Sequence, residues 1–253
     1  MKFVKMQGCG NDFICINNFV ENKVLNSNEI IRLCSRHFGI GADGILVLSR
    51  SNKADFRMTI YNNDGHEAEM CGNGIRCLVK LAYRSGIIDK INDITIETFA
   101  GIKIANIIGN EVQINMGCGE ILENPMKKYD LYCASVGNPH AIMVIDDLDK
   151  IDIASVGYEI ENYSGFVNKT NVEFVQIIDR NNIKIRVWER GCGETLACGS
   201  GTSATVFRLY KAGVLDSNVS VELLGGRLAI SIIDDCIYMT GDAVEVFSGT
   251  INE

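Results

Sequence analysis

Short apolar runs rich in β-branched residues recur along the chain, broken by polar turn pairs. Residues 45–48, 57–61, 94–98, 103–108 and 111–116 read as strands in the first half. Residues 141–145, 172–178, 183–188, 219–223, 227–233 and 237–239 repeat the rhythm in the second. Gly109-Asn110 and Asn181-Asn182 are turn signals between neighbouring runs, so hairpins are expected in preference to long parallel crossovers. Helical periodicity is rarer. Over residues 72–85, Ile75, Leu78, Val79 and Ala82 fall at i, i+3, i+4 and i+7, one apolar stripe, and Gly86 is placed to end the helix. Residues 199–212 are small or apolar around most of the helical surface, which predicts a buried helix ended by Gly213. A third helix is expected over residues 28–38, capped by Ser27 or Asn28 and stopped by Gly39.

The two halves share more than rhythm. Glu67-Ala68-Glu69-Met70-Cys71-Gly72-Asn73-Gly74 and Glu194-Thr195-Leu196-Ala197-Cys198-Gly199-Ser200-Gly201 repeat one pattern at an offset of 127 residues. Residues 56–89 align without a gap on residues 183–216. Val79, Tyr83, Gly86 and Asp89 fall on Val206, Tyr210, Gly213 and Asp216, and Gly10-Asn11 falls on Gly137-Asn138. The chain therefore reads as a duplicated domain. The expected fold is α/β (α+β): two pseudo-symmetric domains, each a mixed, largely antiparallel sheet wrapped around a central helix, with the active site in the cleft between them. The expected boundaries are residues 1–117 with 243–253 for the first domain and 118–242 for the second.

A length of 253 residues suits two small domains. A formal net charge of −8 argues against a nucleic-acid or anionic-membrane surface, and no apolar run reaches the length of a membrane span. The first residues turn polar too soon for a signal peptide. The ten cysteines are too dilute for a secreted disulfide scaffold, which points to a reducing cytoplasm. Cys15, Cys34, Cys77, Cys118, Cys133 and Cys236 lie among apolar neighbours and are expected to be small buried thiols. No Cys-x-x-Cys occurs and only three histidines are present, so no metal site is expected.

Cys71 and Cys198 are different. Each stands where a glycine-rich turn opens a helix. A helix N-terminus exposes unpaired N–H groups and partial positive charge, which favours a thiolate and can grip a carboxylate. If both helix ends met one substrate, an amino-acid α-carboxylate would be held while a sulfur faced each side of Cα. One thiolate would then abstract the α-proton and the opposite thiol would return one. No pyridoxal-phosphate or Rossmann signature is present, so no cofactor is expected. A single Cys-Gly at a helix start is more often packing than catalysis, and two in register within a duplicated unit reverse that balance. Duplication preserves glycine and core positions without requiring a nucleophile at the mouth of both copies.

These blocks resemble the diaminopimelate epimerase family. They are Phe3-Val4-Lys5-Met6-Gln7-Gly8-Cys9-Gly10-Asn11-Asp12-Phe13, Gly39-Ile40-Gly41-Ala42-Asp43-Gly44, Tyr61-Asn62-Asn63-Asp64-Gly65, the Cys71 turn, Val136-Gly137-Asn138-Pro139-His140, Thr170-Asn171-Val172-Glu173-Phe174, and Trp188-Glu189-Arg190-Gly191-Cys192-Gly193-Glu194-Thr195 running into the Cys198 turn. The resemblance implies a cofactor-free conversion of LL-2,6-diaminopimelate to the meso form, feeding lysine and peptidoglycan synthesis, in a homodimer. It implies Cys71 and Cys198 as the acid/base thiols, and Gly72, Asn73, Gly199 and Ser200 as the helix-end groups on the reacting carboxylate. Asn11, Asn62, Asn138, Asn171, Glu189 and Arg190 match its substrate contacts, and His140 and Glu189 match residues that tune the thiols. Arg190 is chemically suited to a distal carboxylate, since a guanidinium pairs bidentately with it. Gly44 departs from members that carry Gln there, and no substrate contact is assigned to it. Two other readings remain open: a proline or hydroxyproline racemase of the same fold, and a two-lobed amino-acid binding protein without catalysis.

Overall fold

The computed structural model describes residues 1–68 and 70–251; Glu69 of the first repeated turn, and Asn252 and Glu253 at the tail, lie outside the described residues. The chain forms two compact units, Met1–Ile114 with Gly241–Glu253, and Asn115–Thr240.

In the first unit, the elements run β1 (Lys2–Gly8), β2 (Asn11–Asn17), α1 (Ser27–Cys34), β3 (Gly44–Ser49), β4 (Phe56–Asn62), β5 (Glu67–Ala68), α2 (Gly72–Arg84), β6 (Ile94–Thr98), β7 (Gly101–Ile108) and β8 (Glu111–Cys118). β1 pairs with β2, β3 with β4, β6 with β7 and β7 with β8, all antiparallel. The joints β2–β3 and β4–β6 are parallel. A parallel joint needs a crossover, and α1 and α2 supply the two. The expectation of hairpins thus holds for the antiparallel joints only. α2 packs on β1, β2, β3, β4 and β7, burying its whole first half including Ile75, Leu78, Val79 and Ala82. The helix comes close enough to the sheet that a Cβ on Gly74 would sit 2.9 Å from Leu46 Cδ2.

The second unit contains β9 (Glu120–Leu122), β10 (Tyr132–Ser135), β11 (Pro139–Val144), α3 (Ile153–Glu161), β12 (Asn171–Asp179), β13 (Asn182–Glu189), β14 (Gly193–Thr195), α4 (Gly199–Lys211), β15 (Asn218–Leu223), β16 (Gly226–Ile233) and β17 (Cys236–Gly241). Its joints follow the same order. β10–β11, β12–β13 and β15–β16 are antiparallel, while β11–β12 and β13–β15 are parallel. The register repeats as well. Phe13↔Gly44, Leu46↔Ile60 and Tyr61↔Glu67 reappear, 127 positions on, as His140↔Asn171, Glu173↔Val187 and Trp188↔Glu194. β9 lies antiparallel beside β10. Its counterpart in the first unit is the last strand, β18 (Val244–Thr250), which lies antiparallel beside β1. Each unit is thus a mixed sheet against a buried helix, and α4 contacts β10, β11, β12 and β16.

Three sequence expectations are corrected. α1 starts after Asn26, whose side chain and Glu29 form a reciprocal capping box, and it ends at Cys34 rather than at residue 38. The Ile40 and Gly41 N–H groups both donate to the Leu33 carbonyl, closing the helix early and leaving Phe38 exposed. α3 was not expected from apolar periodicity. It is set by the Asp152 cap and by Gly157, where a Cβ would lie 2.6 Å from Trp188 Cγ. Cys15, Cys34, Cys77 and Cys133 are buried, but Cys118 is exposed and Cys236 half-exposed because both stand at strand ends. Their sulfurs are 3.7 Å apart. Among the described residues no helix is long and apolar enough to cross a membrane.

An ionic cluster holds the β1–β2 hairpin. Lys5 Nζ lies 2.5 Å from Asp12 Oδ2 and also donates to the Gly41 carbonyl, with only 8% of the Lys5 side chain exposed. Arg36 joins Asp12 at 2.8 Å and Asp43 at 2.7 Å. Burial alone would raise the Asp12 carboxyl, but the hydrogen bonds of Arg36 and Lys5 outweigh it and hold it at about 2, against a usual 3.8. A depressed carboxyl contributes stability that is complete above its unfolded value and is lost as pH falls through its folded one. The unfolding free energy should therefore drop between about pH 4 and pH 2. In Asp12→Asn, on the order of 1–2 kcal/mol of that drop should be missing, as read by denaturant titration at each pH. A second outcome concerns the surface sulfurs. Exposure to oxidised glutathione should link Cys118 to Cys236, the new S–S bond replacing the glutathione S–S bond as two electrons and two protons pass to it and two glutathione thiols leave. Peptide mapping should find that linkage, and Cys118→Ser should abolish it.

Candidate active site

The first unit offers one helix mouth. Cys71 is the N-cap of α2, with φ −143° and ψ 117°, and its sulfur accepts the Gly74 N–H at 3.4 Å. The sulfur thus takes the third amide, and those of Gly72 and Asn73 are among the ones a helix cannot pair internally. Asn11 lies beside it. Its Oδ1 accepts from Cys71 Sγ at 3.6 Å and from Asn73 Nδ2 at 3.2 Å, while its Nδ2 donates to Asp43 Oδ2 at 2.9 Å. Beneath them Arg76 is wholly buried and donates to Asn73 Oδ1 at 2.9 Å and to the Asp242 carbonyl at 2.9 Å. Asn62 ends β4, exposed, with its N–H on the His66 carbonyl. Gly44 faces Asn62 in register, and a Cβ there would lie 2.5 Å from the Tyr61 carbonyl oxygen. The strand spacing itself leaves no room for a side chain at Gly44.

The second unit repeats the mouth. Cys198 caps α4 with φ −123° and ψ 112°, and its sulfur accepts the Gly201 N–H at 3.4 Å. Ser200 Oγ is also 3.4 Å from the sulfur. Gly199 is buried and Ser200 half-buried. His140 is buried, with Nε2 donating to Asn138 Oδ1 at 3.0 Å and Nδ1 2.7 Å from Glu173 Oε1. Asn171 braces the next turn, since its Nδ2 donates to the Pro139 carbonyl at 3.1 Å and its Oδ1 accepts the Arg190 N–H at 3.0 Å. Glu189 accepts from Thr195 Oγ1 at 2.5 Å. Arg190 is exposed and donates from Nη1 to the Asn168 carbonyl at 2.7 Å. Glu161 of α3 holds this turn from below through Trp188 Nε1 and the Gly191 N–H.

The electrostatics of Cys198 overturn one expectation. A helix mouth was expected to favour the thiolate, yet burial pushes the Cys198 thiol well above its usual range. Glu189 and Glu173 push it the same way, and the bonds from Ser200 and the Gly201 N–H pull only weakly against them. Desolvation and two nearby carboxylates outweigh one amide and a helix end. Among the described residues no group of His, Cys, Asp and Glu could hold a metal ion.

Reading motif by motif missed Glu173, Arg76 and Glu161. The register carried a signal for the first. At the 127-residue offset, His140 falls on Phe13 and Glu173 on Leu46, so polar residues stand where the other copy is apolar. Arg76 falls on Ser203 and had no such contrast to mark it.

A family model described as Diaminopimelate epimerase matches residues 3–121 and 132–246. A diaminopimelate epimerase of Agathobacter rectalis is 42% identical, across 100% of this chain and 99% of its own length. Another, from Methanococcus maripaludis, is 43% identical across 100% of both. Among solved structures, a phenazine biosynthesis protein of the PhzF family from Bacillus anthracis superposes with a TM-score of 0.76 at 15% identity, covering 100% of this chain and 99% of that one. A probable proline racemase from Agrobacterium radiobacter superposes with a TM-score of 0.72 at 14% identity, covering 99% and 92%. Such low identity shows a common fold and nothing of the chemistry. The relatives above 40% identity carry the name over the whole chain: it belongs to the diaminopimelate epimerase family.

Proposed function

We propose that this chain converts LL-2,6-diaminopimelate to meso-diaminopimelate, without a cofactor, by passing a proton between two cysteine thiols. The observation that carries the reading is the pair of helix mouths, where Cys71 and Cys198 have near-equal backbone angles and each takes the third amide of its helix. The reading requires one α-carbon to reach both sulfurs. A thiolate removes the α-proton, the opposite thiol supplies one to the other face, and the stereochemistry inverts. The α-proton is a weak acid, so the charge growing on the carboxylate must be stabilised. The amides of Gly72, Asn73, Gly199 and Ser200 are the groups for that, each worth about 3–4 kcal/mol in a dry site.

The distal end of the substrate is a zwitterion. Arg190 suits its carboxylate, and Asn11, Asn62, Asn138, Asn171 and Glu189 supply the donors and acceptors for the rest. His140 and Glu189 tune the thiols. The same reading has each unit furnish half of the machinery, in a cytoplasmic homodimer that feeds lysine and peptidoglycan synthesis. A net charge of −8 suits neither a nucleic-acid nor a membrane partner.

Incubation with LL-diaminopimelate in heavy water, followed by chiral analysis, tests the whole reading. The meso product should carry deuterium at the inverted α-carbon. Inversion of proline with diaminopimelate left untouched would favour a proline racemase instead, and binding without exchange would favour a binding protein. Cys71→Ala and Cys198→Ala should each lower kcat by about 10²–10⁴-fold with the fold retained, as read by progress curves and thermal melting. Arg190→Lys should raise KM and lower kcat/KM, because an ammonium cannot reproduce the planar fork.

A further inference from the structure

The duplication supplies an internal control for the buried pair beneath Cys198. Positions 13 and 140 occupy the same place in the register of the two units, and so do positions 46 and 173. The first unit fills both with hydrocarbon, Phe13 and Leu46, and the second fills both with His140 and Glu173 at the same depth. Their neighbours correspond too. A Cβ on Gly74 would meet Leu46, and a Cβ on Gly201 would lie 2.1 Å from Glu173 Oε1. The fold is therefore satisfied by two apolar side chains at these positions. Burying an ionisable pair costs desolvation, and apolar replacements of such pairs are often neutral or stabilising. Glu173 Oε2 is also buried without a hydrogen-bond partner. That is an expense with no structural return.

The geometry shows where the return lies. Asn138 Oδ1 can only accept, so His140 Nε2 carries a proton. The 2.7 Å contact between His140 Nδ1 and Glu173 Oε1 needs a second proton between them. With its oxygen held, Asn138 keeps its Nδ2 as a donor. The same Glu173 Oε1 also packs against Gly201, the residue whose N–H donates to Cys198 Sγ. The charged or titratable groups facing Cys198 are Glu173 from β12 and Glu189 from the end of β13, with His140 of β11 reaching it through Glu173.

We propose that Glu173 is a positioning residue of the reaction: through His140 it fixes the Asn138 amide, and through its carboxylate against Gly201 it keeps the proton on the Cys198 sulfur until substrate arrives. This rests on the two-thiol reading above. The upward displacement of the Cys198 thiol, to which Glu173 contributes after burial and Glu189, agrees with it.

Glu173→Gln preserves shape and removes the charge. In the full-length protein without substrate, the rate of Cys198 alkylation by iodoacetamide is followed against pH by peptide mass spectrometry. The midpoint should move at least about half a pH unit downward, because the carboxylate no longer opposes the thiolate. With LL-diaminopimelate, kcat should fall about tenfold or more while KM stays within about threefold, the split expected of misplaced chemistry rather than lost binding. Melting should shift by no more than about 3 °C. The double variant H140F/E173L, which installs both side chains of the first unit, should melt no lower than the wild type and show the same loss, and it serves if the Gln variant does not fold. Wild-type kcat in either folded variant would overturn the assignment. A fall in kcat with the alkylation curve unmoved would also overturn it, marking Glu173 as packing alone. Failure of the two-thiol reading would show separately, as a wild-type protein inert toward diaminopimelate, and the alkylation curve would still report on Glu173.

Discussion

Each central helix begins so close to its sheet that a side chain on its third residue would have to push a neighbouring side chain aside. At Gly74 the obstacle is Leu46, and at Gly201 it is the Glu173 carboxylate. This closeness fixes the first turn, and the first turn fixes the sulfur. The N–H of that same glycine binds the sulfur of the N-cap cysteine in both units, at 3.4 Å. A cap is ordinarily a side-chain oxygen, as at Asn26 and Asp152. Here a thiol does the capping, so the group that completes the helix is also the group proposed to transfer the proton. Packing, helix termination and candidate chemistry thus share one backbone N–H.

The copies agree in backbone and differ in what lies beneath the mouth. Under Cys71 the buried group is the Arg76 guanidinium, which orients Asn73 and through it Asn11. Under Cys198 it is the Glu173–His140 pair, which orients Asn138. A cation lies below one mouth and a carboxylate below the other. Unlike buried charges beneath like backbones give the two thiols different surroundings. The backbone symmetry brings equivalent groups to equivalent places, and the side chains then break the equivalence.

The turns around the mouths are held by charges that do no chemistry. Lys5, Asp12, Arg36 and Asp43 form a connected cluster, and Asp43 accepts from both the Asn11 side chain and the Asp12 N–H. In the second unit Glu161 performs the comparable task for the turn that carries Arg190. Placing a side chain within an ångström requires its support to be rigid. In both units that support comes from far along the chain.

The sequence by itself determined the features that depend on neighbours within a helical turn or on the repeat. The 127-residue offset, the two N-cap cysteines, the terminating glycines at Gly86 and Gly213 and the apolar stripe of α2 are local patterns with local causes. Asn11 and Asn138 were named by the family resemblance, and the repeat aligned them with each other. The tertiary structure alone decided the rest. The early end of α1 depends on Ile40 and Gly41 folding back onto Leu33, and the exposure of Cys118 depends on its strand end. The upward shift of the Cys198 thiol depends on burial and on carboxylates that periodicity cannot place beside it. His140 and Glu173 are 33 residues apart and meet only because β11 and β12 pair in parallel. Desolvation and long-range contact have no signature in a run of residues, and for that reason Glu173 and Arg76 escaped a motif-by-motif reading.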